Sequence, residues 1–250
     1  MRIAVLALVV AAVAAAPSNP PRIVGGDLTT VEKYPSMAAL LYSENLVIFE
    51  QVCGSTIINN RSVLTAVHCV FAQPVEPYRV RVGSSYRSSG GEVLPVAAII
   101  QYPEAFQLYH DIAIVQTSVE IKFSATIQPA PIAGTNYNVA DNEAVWAAGW
   151  GQTEFDDHSE QLRDVQLLTI NNDICRQRYE SFLPVTTNML CTGWLDIGGR
   201  DQCFGDSGGP VYHHGVLVGV CSFGNGCATP HYPGVNARVA SYSAWIQATA

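Results

Sequence analysis

Gly205-Asp206-Ser207-Gly208-Gly209-Pro210 is the stretch on which the reading of this chain turns. A serine hydroxyl is a poor nucleophile at neutral pH. It becomes useful only beside a base, with donors aimed at a developing oxyanion and open space for a substrate. Gly205, Gly208 and Gly209 supply that space, since glycine permits tight turns and close approach, and the amides of Gly205 and Ser207 are placed to converge on one oxygen. Asp206 needs its own reason, because a carboxylate beside a nucleophile opposes oxyanion formation unless a cation neutralises it or it points away. Alone, the six residues also fit an ordinary glycine-rich turn. The rest of the chain decides between the two.

A reactive serine needs a base and a group that orients the base. His68 follows the apolar run Ser62-Val63-Leu64-Thr65-Ala66-Val67 and precedes Cys69, while Asp111 opens Asp111-Ile112-Ala113-Ile114-Val115. A carboxylate leading directly into a buried strand calls for a partner. Each residue alone also fits a purely structural role.

Around these residues the chain reads as short β-like runs separated by turn residues. The first set comprises Met37 to Leu41, Leu46 to Phe49, Ser55 to Ile58, Val63 to Ala66, Arg79 to Val82, Val93 to Ile100 and Ile112 to Thr117. After a proline-bearing passage around Gln128 to Pro131 come Ala144 to Ala148, Leu162 to Ile170, Met189 to Thr192, Val211 to His213, Val216 to Ser222 and Val235 to Val239. The pattern predicts two all-β halves of similar size, each closed into a barrel or sandwich that hides its edges. Few stretches invite a helix. The exception is Ser241 to Ala250, where Tyr242, Trp245 and Ile246 share one helical face behind a Ser241 cap.

Composition agrees with a folded, exported protein. Charged residues make up 14% and hydrophobic ones 48%, which excludes extended disorder. Residues 1–16 read as a secretory signal peptide: Met-Arg, an apolar run from Ile3 to Val13, then Ala14-Ala15-Ala16 before Pro17. The run is too short for a membrane anchor, so the expected location is extracellular. Residues 17–22 form a polar, proline-rich linker ending in Arg22, suited to proteolysis. From Ile23 onward, 11 basic residues face 21 acids, a net −10 that gives no electrostatic reason to bind nucleic acid or anionic membrane. Seven cysteines fit an oxidising compartment and leave one unpaired, and with no C-x-x-C pair no metal is expected.

Together, Leu64-Thr65-Ala66-Val67-His68-Cys69, Asp111-Ile112-Ala113 and Gly205-Asp206-Ser207-Gly208-Gly209-Pro210 resemble the trypsin-like serine proteases of the chymotrypsin family. The resemblance runs from Ile23 to about Gln247. It implies two packed six-stranded antiparallel β-barrels with a C-terminal helix, in one protease domain over 23–250 whose halves meet near 125–131. It also implies that Ser207 attacks, His68 is the base, Asp111 orients His68, and the Gly205 and Ser207 amides form the oxyanion hole. Cleavage after Arg22 would free an Ile23 α-amine to pair with Asp206, making the precursor a zymogen.

Specificity follows from the same resemblance. Asp201 stands where trypsin-like members carry an acid at the pocket floor, favouring Arg or Lys before the scissile bond, although a surface aspartate in a polar loop is the other reading. Gly224 and Gly234 match the glycines of open pocket walls, and Ser222-Phe223-Gly224 the edge that pairs with substrate backbone. The implied disulfides are Cys53–Cys69, Cys175–Cys191 and Cys203–Cys227, with Cys221 left as a buried, inert thiol. Departures are Phe223 for a usual tryptophan, Asn236 for a frequent tyrosine and Val67 for alanine. The loop Gly83 to Glu92 lacks the paired acids of calcium-binding trypsins, so neither metal nor cofactor is expected.

Only Lys33 and Lys122 stand against eleven arginines. Lysine loses charge near pH ~10 and arginine beyond ~12, which suggests a digestive enzyme of an alkaline gut lumen, similar to the midgut trypsins of plant-feeding insects; compositional drift is the other reading. The segment through Arg22 holds no regulatory domain, which also points to digestion. Gln152 to Glu160 is acidic and free of Lys and Arg, either a guard against self-cleavage or an ordinary solvated face. Expected partners are protein or peptide substrates and proteinaceous inhibitors, met by a monomer. Rival readings are a chymotrypsin- or elastase-like preference and an inactive homologue that acts by binding.

Overall fold

The structure, a computed structural model, describes residues 23–70, 74–154 and 156–250. The signal peptide expected over 1–16 and the activation peptide expected over 17–22, Arg22 included, lie outside the described residues.

A short strand β1 (Asp27–Leu28) precedes β2 (Met37–Tyr42), β3 (Glu50–Ile57), β4 (Ser62–Thr65), β5 (Tyr78–Val82), β6 (Glu92–Gln101) and β7 (Ala113–Thr117). Strands β2 to β7 form a closed antiparallel barrel in the order β2-β3-β4-β7-β6-β5, with β5 returning to β2. In β5 the cause is plain: Tyr78, Val80 and Val82 point into the core and Arg79 and Arg81 outward, the two-residue period of a half-buried strand.

The second half contains β8 (Ala144–Gly149), β9 (Arg163–Ile170), α1 (Asn172–Arg178), β10 (Met189–Gly193), β11 (Pro210–His213), β12 (Val216–Phe223), β13 (Gly234–Arg238) and α2 (Val239–Thr249). Its strands run β9-β10-β13-β12-β11-β8, and the β8–β9 pairing closes the ring into a second six-stranded barrel; β1 adds to β9 from outside. The expected pair of antiparallel barrels with a C-terminal helix is therefore the fold. Among the described residues, no helix is long and apolar enough to cross a membrane.

Several local expectations need correction. Leu46 to Phe49 is not a strand, because Asn45 Oδ1 accepts the Val47 and Ile48 amides at 2.9 and 3.0 Å and Leu46 takes a positive φ of 59°. That side-chain turn leaves Val47 78% and Ile48 63% exposed, and the strand starts only at Glu50. Helix α1 was not expected, yet its signals are present: Asn171 caps the Asp173 and Ile174 amides, Asp173 lies in the first turn, and Arg176 and Arg178 lie in the last. Helix α2 begins at Val239, not behind a Ser241 cap, so Val239 belongs to the helix and β13 stops at Arg238. Burial of Val239 beside Tyr242 and Ile246 favours continuing the apolar face one turn earlier.

Barrel one carries His68, in a single 3-10 turn over Val67–Cys69 after β4, and Asp111, two residues before β7. Barrel two carries Ser207, three residues before β11. The three meet where the barrels face each other, and the Gly54 amide of β3 donates to the Ser207 carbonyl at 2.8 Å across that seam.

Candidate active site

Asp111 is 2% exposed and fully engaged. Its Oδ1 accepts the His68 amide at 2.9 Å; its Oδ2 accepts His68 Nδ1–H at 2.7 Å and the Ser222 hydroxyl at 2.5 Å. A carboxylate only accepts, so the proton sits on Nδ1 and the lone pair of Nε2 faces outward, the tautomer a general base requires.

The serine loop is clamped from both barrels. Besides the bond to Gly54, the Gly208 amide donates to the Cys221 carbonyl at 2.8 Å, and the Cys221 amide to the Gly209 carbonyl at 2.9 Å. A Cβ on Gly208 would lie 3.0 Å from the Ala66 nitrogen, so the residue after the serine touches the turn that carries His68. Among the described residues no hydrogen bond joins Ser207 Oγ to His68 Nε2. Nor do the amides of Gly205 and Ser207 donate to an acceptor among the described residues, which leaves both free for an incoming oxygen. Gly205 has φ +93°, and a Cβ there would lie 2.8 Å from the His158 ring, so only glycine serves.

Beside the serine opens a pocket whose lining includes Ser207, Cys221, Phe223, Gly224, Gly234, Asn236 and Asp201. Asp201 is 3% exposed; the Gln202 and Ala228 amides donate to its two oxygens at 2.9 Å each. Burial outweighs those bonds and, with the neighbouring charge of Asp206, pushes the carboxyl up to about 7. The surface-loop reading of Asp201 is excluded. Pairing with β11 ends at Val220, so among the described residues no strand covers that side of Ser222 and Phe223, while β13 covers the other.

Asp206 points away from the nucleophile into a closed site between Gly149 and Gly151. A Cβ on Gly151 would lie 2.5 Å from its carboxyl carbon. Its oxygens accept the Gly151 amide at 2.7 Å and the Cys203 amide at 3.0 Å, yet burial still pushes it up to about 7. Ile23 is wholly buried and bridges Thr153, and the Val24 carbonyl accepts the Asp201 amide at 3.1 Å. The pocket floor thus leans on the segment that follows Arg22.

A family model described as trypsin matches residues 23–246. The chain belongs to the trypsin family. It is 55% identical to an alkaline trypsin C of Manduca sexta over 98% of this chain and 97% of that one, and 52% identical to trypsin CFT-1 of Choristoneura fumiferana over 99% and 98%. Achelase-1 of Lonomia achelous is 46% identical over 91% of this chain and all of its own. At this similarity the chain is a trypsin-like serine endopeptidase, acting on protein or peptide substrates.

The disulfides of this trypsin-family chain are Cys53–Cys69, Cys175–Cys191 and Cys203–Cys227. The first ties β3 to the His68 turn and takes up both cysteines grouped with that histidine among the described residues, so their sulfurs are not free thiolate ligands. Cys221 is not wholly buried as expected, because it forms part of the pocket wall. Burial, then the carboxylates of Asp206, Asp201 and Asp111, push its thiol well up, which disfavours the nucleophilic thiolate.

Sequence reasoning missed several supports. Gln51 donates to the Gly205 carbonyl at 2.8 Å and fixes the amide plane beside the serine. The Tyr179 hydroxyl donates to the Pro233 carbonyl at 2.6 Å and accepts the Asn225 amide at 3.2 Å, bracing two sides of the pocket. Ser222 was expected only at the substrate edge and also holds Asp111. Nothing in the sequence marks Gln51 or Tyr179, since each contact spans distant segments. Asn236, the departure from tyrosine, donates to the Leu190 carbonyl and the Thr192 hydroxyl at 2.9 and 3.0 Å.

The raised carboxyl of Asp201 gives a pH prediction. A cationic pocket ligand such as an amidinium needs the carboxylate, which is protonated below about 7. Its Kd is expected to rise up to about tenfold per pH unit below that point, reaching ~100-fold between pH 8 and pH 5. Calorimetric binding at the two pH values checks this; equal affinities would mean that Asp201 stays ionised throughout.

Proposed function

We propose that this chain is a secreted digestive endopeptidase, made as a zymogen, activated by cleavage after Arg22 and cutting after Arg or Lys. Its layout is a signal peptide over 1–16, an activation peptide over 17–22 and a protease domain over 23–250, with halves meeting near 125–131. The observation that carries the reading is Asp201: a buried carboxylate lining the same pocket as Ser207, with no cationic partner among the described residues. A guanidinium or ammonium from substrate would supply the missing charge.

In this reading Ser207 attacks the carbonyl while His68 takes its proton and later returns it to the leaving amine. Asp111 holds the imidazole and stabilises its charged form, and the Gly205 and Ser207 amides receive the oxyanion. The free edge of Ser222–Gly224 pairs with substrate backbone. The few lysines, together with the word alkaline in the Manduca sexta relatives' names, support work in an alkaline gut lumen. The enzyme acts as a monomer, away from membranes, and meets proteinaceous inhibitors.

The test is kcat/KM of the Arg22-cleaved protein on amides carrying Arg, Lys, Phe, Leu or Ala before the scissile bond. Arg and Lys should dominate. Asp201→Ser should cut their kcat/KM by about 10³-fold, the scale of a buried charge left unpaired, and leave the apolar substrates much less affected. A preference for Phe, Leu or Ala in the parent enzyme would overturn the reading.

A further inference from the structure

The two-residue turn joining β11 to β12 is His214-Gly215, with positive φ at both positions (49° and 79°). Adjacent strand residues normally face opposite sides. Here the left-handed turn brings the His214 ring beside that of His213, with centroids 4.2 Å apart. Glu143, immediately before β8, reaches the same place. Its backbone is pinned to β9, donating to Thr169 Oγ1 at 2.9 Å and accepting the Thr169 amide at 3.0 Å.

His213 is 9% exposed, and its Nε2 is buried with no hydrogen-bond partner. The Tyr137 hydroxyl lies 2.9 Å from Nδ1 and 3.4 Å from the His213 carbonyl oxygen. A hydroxyl that accepts Nδ1–H and donates to the carbonyl would satisfy both contacts. That arrangement fixes the tautomer and leaves a bare lone pair on Nε2, as a partner of the second ring nitrogen does at metal-bound histidines. The Glu143 carboxylate stands 3.8 Å from Nε2, too far for a hydrogen bond. One ligand atom from each of Glu143, His213 and His214 lies within 4.8 Å of the others.

We propose that Glu143, His213 and His214 form a binding site for a divalent transition metal of the zinc class. Two imidazoles and a carboxylate suit zinc. Bonds of about 2.0–2.1 Å in a tetrahedron put donor atoms roughly 3.4 Å apart. The observed spacing needs only small rotations of the two exposed side chains, Glu143 and His214, toward the fixed nitrogen of His213. The ion clamps the β11–β12 turn to the start of β8, leaving a coordination position for water. Ser207 is six residues before His213, at most about 22 Å along the chain. The expected effect is on the stability of the second barrel.

The experiment titrates Zn²⁺ calorimetrically into Ser207→Ala protein, which cannot digest itself, and into the same protein carrying His214→Asn, Glu143→Gln or His68→Ala. Asparagine keeps the turn, since it also accepts positive φ. One Zn²⁺ per chain is expected in the parent, with Co²⁺ giving a tetrahedral visible spectrum and Zn²⁺ raising the melting temperature. Affinity should fall at least about tenfold with His214→Asn and with Glu143→Gln, and stay unchanged with His68→Ala. No Zn²⁺ binding in the parent, equal affinity in the His214 and Glu143 variants, or loss confined to His68→Ala would each overturn the proposal.

Discussion

Exchanging Ser207 for alanine is expected to lower kcat about 10⁶-fold, the scale found for serine-protease triads. The nucleophile is gone, while the carboxylate–imidazole pair, the two free amides and the pocket all remain. Adding His68→Ala should therefore cost little more, because a base without its nucleophile has no proton to take. The structure gives a reason to expect such unity. Asp111 is committed to His68 and Ser222, and the serine loop is bonded to both β3 and β12, so the groups form one rigid unit across the barrel seam. Single-turnover rates of the two single variants and the double variant decide it. Losses that multiply would show that Ser207 and His68 act independently, and a Ser207→Ala protein with substantial activity would remove the serine from the mechanism.

The uncleaved chain should lose about 4 kcal/mol of stability between pH 4 and pH 8 through Asp206, and cleavage after Arg22 should restore it. In the folded chain burial raises this carboxyl to about 7, against about 3.9 when unfolded. A group raised on folding contributes stability that is fully present below the unfolded value and is lost as pH climbs through the folded one, at about 1.4 kcal/mol per unit. On the proposed activation, cleavage turns the Ile23 amide into an ammonium that would pair with the wholly buried Asp206 carboxylate, and that pairing would reverse the sign. In the unfolded chain the unpaired amine titrates near pH ~8. Pairing raises it, so the gain holds to alkaline pH and fades once the folded amine titrates. Urea midpoints of cleaved and uncleaved Ser207→Ala protein at pH 4, 6, 8 and 10 measure the difference. It should be small or reversed at pH 4, largest near pH 8, and absent with Asp206→Asn. Identical pH profiles for the two forms would rule out the pairing.

Much of this was legible before the fold. The alternation in Tyr78 to Val82 and the apolar runs on either side of His68 and Asp111 state which residues face a core, because that information is local and periodic. Where the sequence misled, a local effect of similar size intervened: the Asn45 side chain turned Leu46 to Phe49 out of a strand, and the Asn171 cap made a helix where none was expected.

By itself, then, the sequence determined the two β halves and, through three short motifs, the candidate nucleophile, base and orienting acid. The tertiary structure alone decided what holds them, Gln51 on the Gly205 carbonyl, Ser222 on Asp111 and Tyr179 across the pocket wall, and, separately, it placed Glu143 beside the buried nitrogen of His213. Each of those contacts joins residues 54 or more positions apart. Barrel closure brings such residues together through the pairing of whole strands, and no periodicity within one strand records which distant side chain will face it.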